Sequence, residues 1–291
     1  MDYVALRPFY MWAGGKTKMI KPYTELWPDM LNYDNYVEPF FGGGAIFCWI
    51  RNNQKHKKLN YSIGDTNTEL MSIISSVRDT PEDFTLECMF LANEYLSLDK
   101  ANRKKWYYLQ REKYWTKPTA ARLYVLMRTG FNGLWQESKK ANGLFGTASG
   151  LLNQTKLEQI IDRELIYSWS NALTQTNIHV GGYDTLPLPE SGRTLIYLDP
   201  PYRDSFNTYS TGFSDNDQRQ LVAWFKAQVS KGHKVIMSNR CVDGDQFFEE
   251  LLCDVADFYY IDIVYTVGRR KRTADGFEAK PAQEILVVSR D

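Results

Sequence analysis

The sequence is poor in histidine and cysteine and has no excess of charge of either sign. It contains three histidines and four cysteines, and none of them has the spacing of a metal site. No metal is therefore expected, and the cysteines are predicted to be free thiols in a reducing compartment. Lys and Arg number 35, as do Asp and Glu. Overall charge alone is thus not expected to hold the protein on nucleic acid, although a local basic face is compatible with this balance.

Long apolar runs are also missing. No run reaches the length that spans a membrane, and the first 18 residues lack the apolar core of a signal peptide. We therefore expect a cytoplasmic protein without membrane contacts. A length of 291 residues allows one large domain, or a main domain with a smaller one. Aromatic residues make up 14% of the chain, which suits both core packing and stacking on bases.

Predicted strands alternate with predicted helices in the first and last parts of the chain. Such alternation is typical of an open, largely parallel sheet, and the last two strands have the pattern of an antiparallel pair. We therefore predict an α/β, Rossmann-like fold with an antiparallel last strand. The predicted strands cover residues 36–38, 59–65, 178–180, 195–198, 235–238, 259–267 and 284–289. The predicted helices around them begin at residues 45, 68, 214 and 245.

The middle of the chain has a different character. Residues 81–129 are predicted to be mostly helical, with Pro81 and Pro118 in first turns of helices. Residues 131–155 are rich in Gly and Asn and predict a hairpin with loops. We expect a smaller domain over residues 70–155, inserted into a main domain made of residues 1–69 and 156–291.

A glycine turn follows the first predicted strand. Gly42 and Gly44 would let the backbone approach a ligand, and ligands bind at the carboxyl ends of strands in such sheets. Glu38 and Asp65 end neighbouring strands and could each hold ribose hydroxyls. The third glycine of a dinucleotide fingerprint is replaced by Phe47. The alternatives are a plain tight turn, a helix N-cap role for Asp65, and a cap of the glycine turn by Glu38.

The tetrapeptide Asp199-Pro200-Pro201-Tyr202 comes directly after another apolar strand. Its two prolines stiffen the turn and fix the direction of the Pro200 carbonyl. The Asp199 carboxylate and that carbonyl can then both accept hydrogen bonds from one amino group. Tyr202 follows in a position to stack on a planar base. The alternative is a stiff loop without chemistry.

Five segments together resemble the Dam-type (D12 class) adenine-N6 DNA methyltransferases. They occur in the family's order and span nearly the whole chain, and Ser238-Asn239 is similar to a further family element. The segments are Trp12-Ala13-Gly14-Gly15-Lys16, Val37-Glu38-Pro39-Phe40-Phe41-Gly42-Gly43-Gly44, Gly64-Asp65-Thr66-Asn67, Phe131-Asn132-Gly133-Leu134 and Asp199-Pro200-Pro201-Tyr202.

The resemblance implies S-adenosylmethionine as methyl donor and double-stranded DNA as substrate, in a bacterial or phage-infected cell. We expect a monomer that flips adenine out of the duplex. Asp199 and Pro200 would hold the N6 amino group, Tyr202 would stack on the base, and Tyr183 would contact the donor's adenine through its backbone. The expected donor site comprises Trp12, Lys16, Glu38, Phe40, Gly42, Gly44, Asp65, Tyr183 and Asp199.

The segment after Phe131 would belong to the DNA-recognition domain. Phe131 would fill the space left by the flipped base, or alternatively pack in a core. Readers of GATC in this family have a small residue and an arginine where this chain has Trp135 and Gln136. Because glutamine pairs better with adenine than with guanine, GATC is not the expected target. The predicted DNA contacts are Phe131, Asn132, Leu134, Gln136, Arg269, Arg270 and Arg272.

Two alternatives remain open at the level of sequence. Related tetrapeptides occur in enzymes that methylate RNA bases or a protein glutamine, and the fold could also persist in an inactive nucleic-acid-binding protein. A second basic cluster over residues 100–113 could bind DNA phosphates or form a solvated helix face.

Overall fold

The computed structural model describes residues 4–53, 58–150, 152–203, 212–242, 244–264, 271–273, 276–278 and 281–290. Within these residues, seven strands form one sheet in the order β3-β2-β1-β4-β5-β9-β6, and two short strands form a separate pair. The sheet strands are β1 (Asn35–Glu38), β2 (Asn60–Asp65), β3 (Thr176–Val180), β4 (Thr194–Leu198), β5 (Lys234–Cys241), β6 (Ala256–Val264) and β9 (Pro281–Ser289). The short pair is β7 (Lys271–Thr273) and β8 (Gly276–Glu278).

The direction of the strands confirms the predicted fold. β1 to β5 pair in parallel with their neighbours, whereas β9 runs antiparallel between β5 and β6. Every residue of β1 and β4 is buried. This burial is expected of central strands covered on both faces, and it explains the apolar run from Leu195 to Leu198 in β4. The short β7–β8 pair lies in the predicted basic loop between β6 and β9.

Helices cover the sheet and form the middle of the chain. Asn67 caps α3 by accepting from the backbone N–H of Leu70, and Ser214 caps α8 in the same way, at Asp217. The helices are α1 (Ile20–Thr24), α2 (Ala45–Asn53), α3 (Thr68–Asp79), α4 (Pro81–Leu96), α5 (Lys100–Thr116), α6 (Ala120–Thr129), α7 (Arg163–Leu173), α8 (Asp215–Ser230) and α9 (Phe247–Leu252).

Two local predictions about helices are wrong. Pro118 is not in a first turn, because Thr119 caps α6 with its hydroxyl and Pro118 precedes that cap. The last helix begins at Phe247 and not at the predicted residue 245. Asp245 accepts from the backbone N–H of Phe247 in a turn, and the chain is extended again at Ala256. Side-chain bonds to the backbone compete with the helix at both places.

The helices of the middle segment share a core with the sheet. α4 packs on α5 and α6, and α3 contacts β2, β3 and α7 as well as α6. The buried Tyr124 hydroxyl on α6 donates to the carbonyls of Phe9 and Ile160, at 3.0 and 3.1 Å. The division at residues 70 and 155 stays a prediction. In the part of the chain that the structure describes, no helix has the length and apolarity needed to cross a membrane.

Candidate active site

Three acidic residues lie at one edge of the sheet. Glu38 and Asp65 end β1 and β2, and Asp199 follows β4. Because β1 to β5 are parallel, their carboxyl ends meet at a common edge, here called the carboxyl edge. The three acids have different environments, and these environments decide what each can do.

Asp199 is paired with a buried lysine. The Lys16 ammonium is 2.7 Å from Oδ1 of Asp199 and 2.8 Å from Oδ2, and it donates to the Gly14 carbonyl at 3.0 Å. Ser238 on β5 donates its hydroxyl to Asp199 Oδ1 at 2.9 Å. Because the Ser238 hydroxyl proton is used in the bond to Asp199, the Tyr197 hydroxyl must be the donor in the 2.9 Å bond between Tyr197 and Ser238. Lys16, predicted to contact the methyl donor, thus contacts the acid of the tetrapeptide.

Tyr202 is held at its hydroxyl and over its ring. The hydroxyl donates to Oε2 of Glu284 at 3.1 Å, and the Lys16 ammonium lies 4.7 Å from the ring centroid. Glu284 is 4% exposed and also accepts from the Tyr23 hydroxyl, at 3.2 Å. Burial raises the pKa of Glu284, and the nearby Lys16 charge opposes this rise.

Two buried amide side chains, Gln218 and Asn239, fix the backbone on both sides of Tyr202. Gln218 on α8 donates to the Pro201 carbonyl at 2.8 Å, and Asn239 on β5 donates to Gln218 at 3.3 Å. Asn239 also accepts from the backbone N–H of Arg203 at 3.1 Å. Gln218 was not predicted from sequence, because nothing at its position in a helix distinguishes it from a surface glutamine.

Glu38 is buried at the end of β1. It is 2% exposed and accepts from the Tyr36 hydroxyl at 2.8 Å. Burial raises the pKa of Glu38 to about 8, opposed by the Tyr36 bond and a bond from the backbone N–H of Phe47. The Phe47 bond agrees with the alternative in which Glu38 caps the glycine turn. The predicted contact of Glu38 with a ribose stays a prediction.

Asp65 joins the end of β2 to the glycine turn. Its Oδ2 accepts from the backbone N–H of Gly42 and its Oδ1 from that of Asn67, both at 2.9 Å. Burial raises its pKa, and these backbone bonds oppose the rise. Asp65 is not the N-cap of α3, since Asn67 takes that position. The side chain is half-buried and remains accessible from the carboxyl edge.

Trp12 covers the glycine turn. Gly42 has a φ of +47°, and a Cβ added there would lie 2.9 Å from Nε1 of Trp12. Gly44 has a φ of +64°, and its added Cβ would lie 2.6 Å from Cζ of Phe41. Glycine is thus required twice, for the left-handed backbone and for the close packing of aromatic rings.

Two further aromatic rings flank the same edge. Phe40, which follows β1, stacks on Tyr183, which follows β3, with ring centroids 5.5 Å apart. Tyr183 also packs edge-on against Trp224 of α8. The residues predicted for the donor site therefore surround one edge, although their contacts with a donor stay predictions.

Residues 131–150, here called the recognition segment, form an irregular hairpin. Phe131 is 42% exposed, Asn132 and Gln136 are exposed, and Leu134 is half-buried. Trp135 is buried instead, with its ring 5.7 Å from that of Trp12 and 5.1 Å from that of Phe145. The exposed fraction of Phe131 favours its predicted DNA contact over the alternative of a core aromatic.

The structure describes basic residues of the cluster over residues 100–113, but not the predicted arginine contacts after β6. Arg111 donates to the carbonyls of Gly146 and Thr147, and Arg103 donates to five backbone carbonyls, so both serve the protein's own fold. Contact with the protein's own backbone is a third role for this cluster. The two roles left open by the sequence are binding of DNA phosphates and a solvated helix face. Arg269 and Arg270 lie outside the described residues, as does the side chain of Arg272.

The comparison with known families assigns the chain to one of them. A model of the D12 class N6 adenine-specific DNA methyltransferases matches residues 12–267. The chain belongs to this family. It is 30% identical to the type II methyltransferase M.MjaIII of Methanocaldococcus jannaschii, over 80% of this chain and 84% of that protein. It is 27% identical to the retron Ec67 DNA adenine methylase of Escherichia coli, over 96% and 90%.

Membership confirms the resemblance of the five segments and the class of reaction. The D12 class transfers a methyl group to the N6 amino group of adenine in DNA. A third relative, the DNA adenine methylase of Haemophilus influenzae, is 28% identical over 80% of this chain. The alternative substrates, RNA and protein glutamine, are not those of this family.

Proposed function

We propose that this D12-class methyltransferase uses S-adenosylmethionine to methylate adenine N6 in double-stranded DNA, on a base turned out of the duplex. The observation that carries the proposal is the set of hydrogen bonds and the ion pair that hold the tetrapeptide at the carboxyl edge. Asp199 is oriented by Lys16 and Ser238, and Gln218 anchors the Pro201 carbonyl of the same tetrapeptide. Catalysis by placement needs this kind of rigid, pre-oriented acceptor.

The residues at the carboxyl edge fit a sulfonium nucleoside. Asp65 and Asp199 supply negative charge beside a cationic donor, and Phe40 and Tyr183 supply flat apolar rings. Gly14 has a φ of +80°, and an added Cβ would meet no atom within 4 Å, so its backbone is open to a ligand. A bound S-adenosylmethionine would supply a methyl group activated by its positive sulfur.

The adenine amino group is a poor nucleophile, because its lone pair is delocalised into the ring. The Asp199 carboxylate and the Pro200 carbonyl would accept hydrogen bonds from the two N–H groups of this amino group. These two bonds would favour a pyramidal nitrogen. A carboxylate has about four lone-pair sites, so the bonds from Lys16 and Ser238 leave Asp199 able to accept another. Lys16 and Ser238 thus orient the Asp199 carboxylate and leave it able to accept a hydrogen bond from the adenine amino group.

Tyr202 would stack on the flipped base. Flipping costs a few kcal/mol, and stacking on an aromatic ring returns about 1–3 kcal/mol of it. Residues 70–155 would contact the duplex, with exposed Phe131, Asn132 and Gln136 facing the DNA. Gln136 would favour adenine over guanine at its position, so the target would differ from GATC. We propose a monomer acting in the cytoplasm of a bacterial or phage-infected cell.

A methyl-transfer assay tests the proposal. The protein is incubated with radiolabelled S-adenosylmethionine and unmethylated genomic DNA, and label is mapped by sequencing. Label on adenine N6 at one sequence, absent with Asp199→Ala, is the expected result. Label on RNA or protein but not on DNA would overturn it, as would transfer from another donor only.

A further inference from the structure

A buried carboxylate lies at the carboxyl edge without a part in the mechanism above. Glu284 is near the start of β9, where its neighbours across the sheet are Arg240 of β5 and Ile261 of β6. Because β9 is antiparallel to β5, the start of β9 lies at the same edge as the end of β5. Its backbone is therefore held by strands on both sides, next to the tetrapeptide.

Burying a carboxylate is unfavourable unless it is hydrogen-bonded. Glu284 is 4% exposed, and its Oε2 accepts the hydroxyls of Tyr202 and Tyr23, at 3.1 and 3.2 Å. Tyr23 is itself fully buried. Glu284 is thus a buried acceptor, and it binds the hydroxyl of Tyr202, whose ring has to receive the base.

The position of Lys16 makes the orientation of that ring matter. Its ammonium lies 4.7 Å from the ring centroid of Tyr202, so one face of the ring is taken by a cation. A base can then stack only on the opposite face. Rotation of the ring would move that face out of line with Asp199, and misplacement by about 1 Å can cost about a hundredfold in rate.

From these contacts we propose that Glu284 is a positioning residue that holds the Tyr202 ring in line with Asp199 for stacking on the flipped adenine. The inference rests on the proposed function, since it needs a base on Tyr202. Glu284 acts through the Tyr202 hydroxyl and not on the substrate. Removing Glu284 should therefore include the effect of removing that hydroxyl, in addition to the loss of the Tyr23 bond.

A double-mutant cycle tests this dependence. Glu284→Leu removes the acceptor, and Tyr202→Phe removes the donor but keeps the ring. Hydrogen bonds to charged groups contribute about 1.5–3 kcal/mol, so kcat/KM for DNA should fall roughly 10- to 100-fold in either variant. The double variant should fall no further than Glu284→Leu alone, because Glu284→Leu already breaks the Tyr202 bond, together with the bond from Tyr23. Effects that multiply would overturn the proposal.

Two measurements separate positioning from a merely structural role. The affinity for S-adenosylmethionine, measured by calorimetry, should not change in Glu284→Leu. The fluorescence of 2-aminopurine, placed at the target adenine, should rise less than with the wild type, because the flipped base is held less well. A lower melting temperature with unchanged kcat/KM per folded molecule would assign Glu284 to stability alone.

Conservative and distant variants complete the experiment. Glu284→Gln keeps an oxygen that accepts, and it should lose less than about tenfold. If Glu284→Leu does not fold, Glu284→Gln takes its place in the cycle, with the same non-additive result expected. Glu249 accepts the hydroxyl of the exposed Tyr260 and not that of Tyr202, so Glu249→Leu is the matched control and should methylate normally.

The wild type distinguishes the two proposals. If the wild type does not methylate adenine, the proposed function fails before any variant is compared. If the wild type is active and Glu284→Leu equals it, only the role of Glu284 fails.

Discussion

The carboxyl edge and the recognition segment are built by different means. At the carboxyl edge, charged and polar groups are buried together, as in the Lys16–Asp199 pair and the amide of Gln218 on Pro201. In the recognition segment, aromatic packing and bonds to backbone carbonyls hold the base of the hairpin, and the polar side chains of Asn132 and Gln136 are exposed.

The difference suggests a division of labour. A buried polar cluster keeps one geometry, because each group that moves would leave a partner unsatisfied. That rigidity suits chemistry by placement. Exposed side chains on a packed base can change without disturbing the fold, which would suit the proposed contact of this segment with DNA.

The sharpest test of the carboxyl edge is the loss of the Asp199 charge. Asp199→Asn keeps the shape but breaks the ion pair with Lys16 and weakens the acceptor. Losing one pre-oriented group of this kind costs about 10²–10³-fold in kcat, which we expect in a methyl-transfer assay at saturating substrates. Asp254→Asn breaks the exposed pair with Lys226 and is the matched control. Equal kcat values for the two variants would refute rigid placement by Asp199.

Glu38→Gln tests how far burial dominates at the same edge. The pKa of Glu38 is about 8 in the folded protein, against an ordinary value of 4.5. Between these values the folded state keeps a proton that the unfolded chain releases, so the free energy of unfolding falls as pH rises from about 5 to 8. Glutamine does not titrate. The variant should therefore gain stability over the wild type across this window, by a few kcal/mol at ~1.4 kcal/mol per pKa unit.

Urea denaturation at several pH values measures this effect. Glu25→Gln changes an exposed carboxyl group and should alter stability little at any pH. A gain for Glu38→Gln that is the same at pH 5 and pH 8 would contradict the role of burial.

The two regions also differ in what could be predicted from sequence. At the carboxyl edge, apolar strands followed by Glu38, Asp65 and Asp199 were enough to predict the sheet and the acids at its edge. These signals are local, because a strand and the residue after it are adjacent in the chain. Glu284 was missed, since it lies at the start of an antiparallel strand and the rule used considers the ends of parallel ones.

The recognition segment depends on contacts that sequence does not display. Trp135 was considered only as a departure from the GATC pattern, but its ring packs on Trp12, more than a hundred residues earlier. The sequence leaves Arg111 open between binding DNA phosphates and forming a solvated helix face, but Arg111 donates to the carbonyls of Gly146 and Thr147. Such long-range pairings have no periodic signature, so neither the burial of Trp135 nor the backbone contacts of Arg111 could be predicted from the sequence.

Gly133→Ala tests whether the recognition segment is held by close packing. Gly133 has a φ of +64°, and an added Cβ would lie 2.4 Å from Cβ of Met11. Gly232 has a φ of +83° with no atom within 4 Å, so Gly232→Ala carries the backbone strain without the clash. Overpacking costs about 1–3 kcal/mol, and the free energy of unfolding should be lower in Gly133→Ala by this amount. Equal free energies of unfolding for Gly133→Ala and Gly232→Ala would mean that the segment adjusts to the added methyl group at little cost.

The smallest expected effect belongs to an exposed side chain of the recognition segment. Gln136→Ala removes a side chain that can bond adenine bidentately, and such a pair is worth about 1–3 kcal/mol of discrimination. The ratio of kcat/KM between the target sequence and a single-base variant should fall roughly 5- to 100-fold, while stability stays unchanged. Gln246→Ala removes an exposed glutamine at the start of α9 and should keep the ratio. If Gln136→Ala lowers activity on all sequences alike, Gln136 binds the backbone of the DNA, and the base is recognised by another part of the segment.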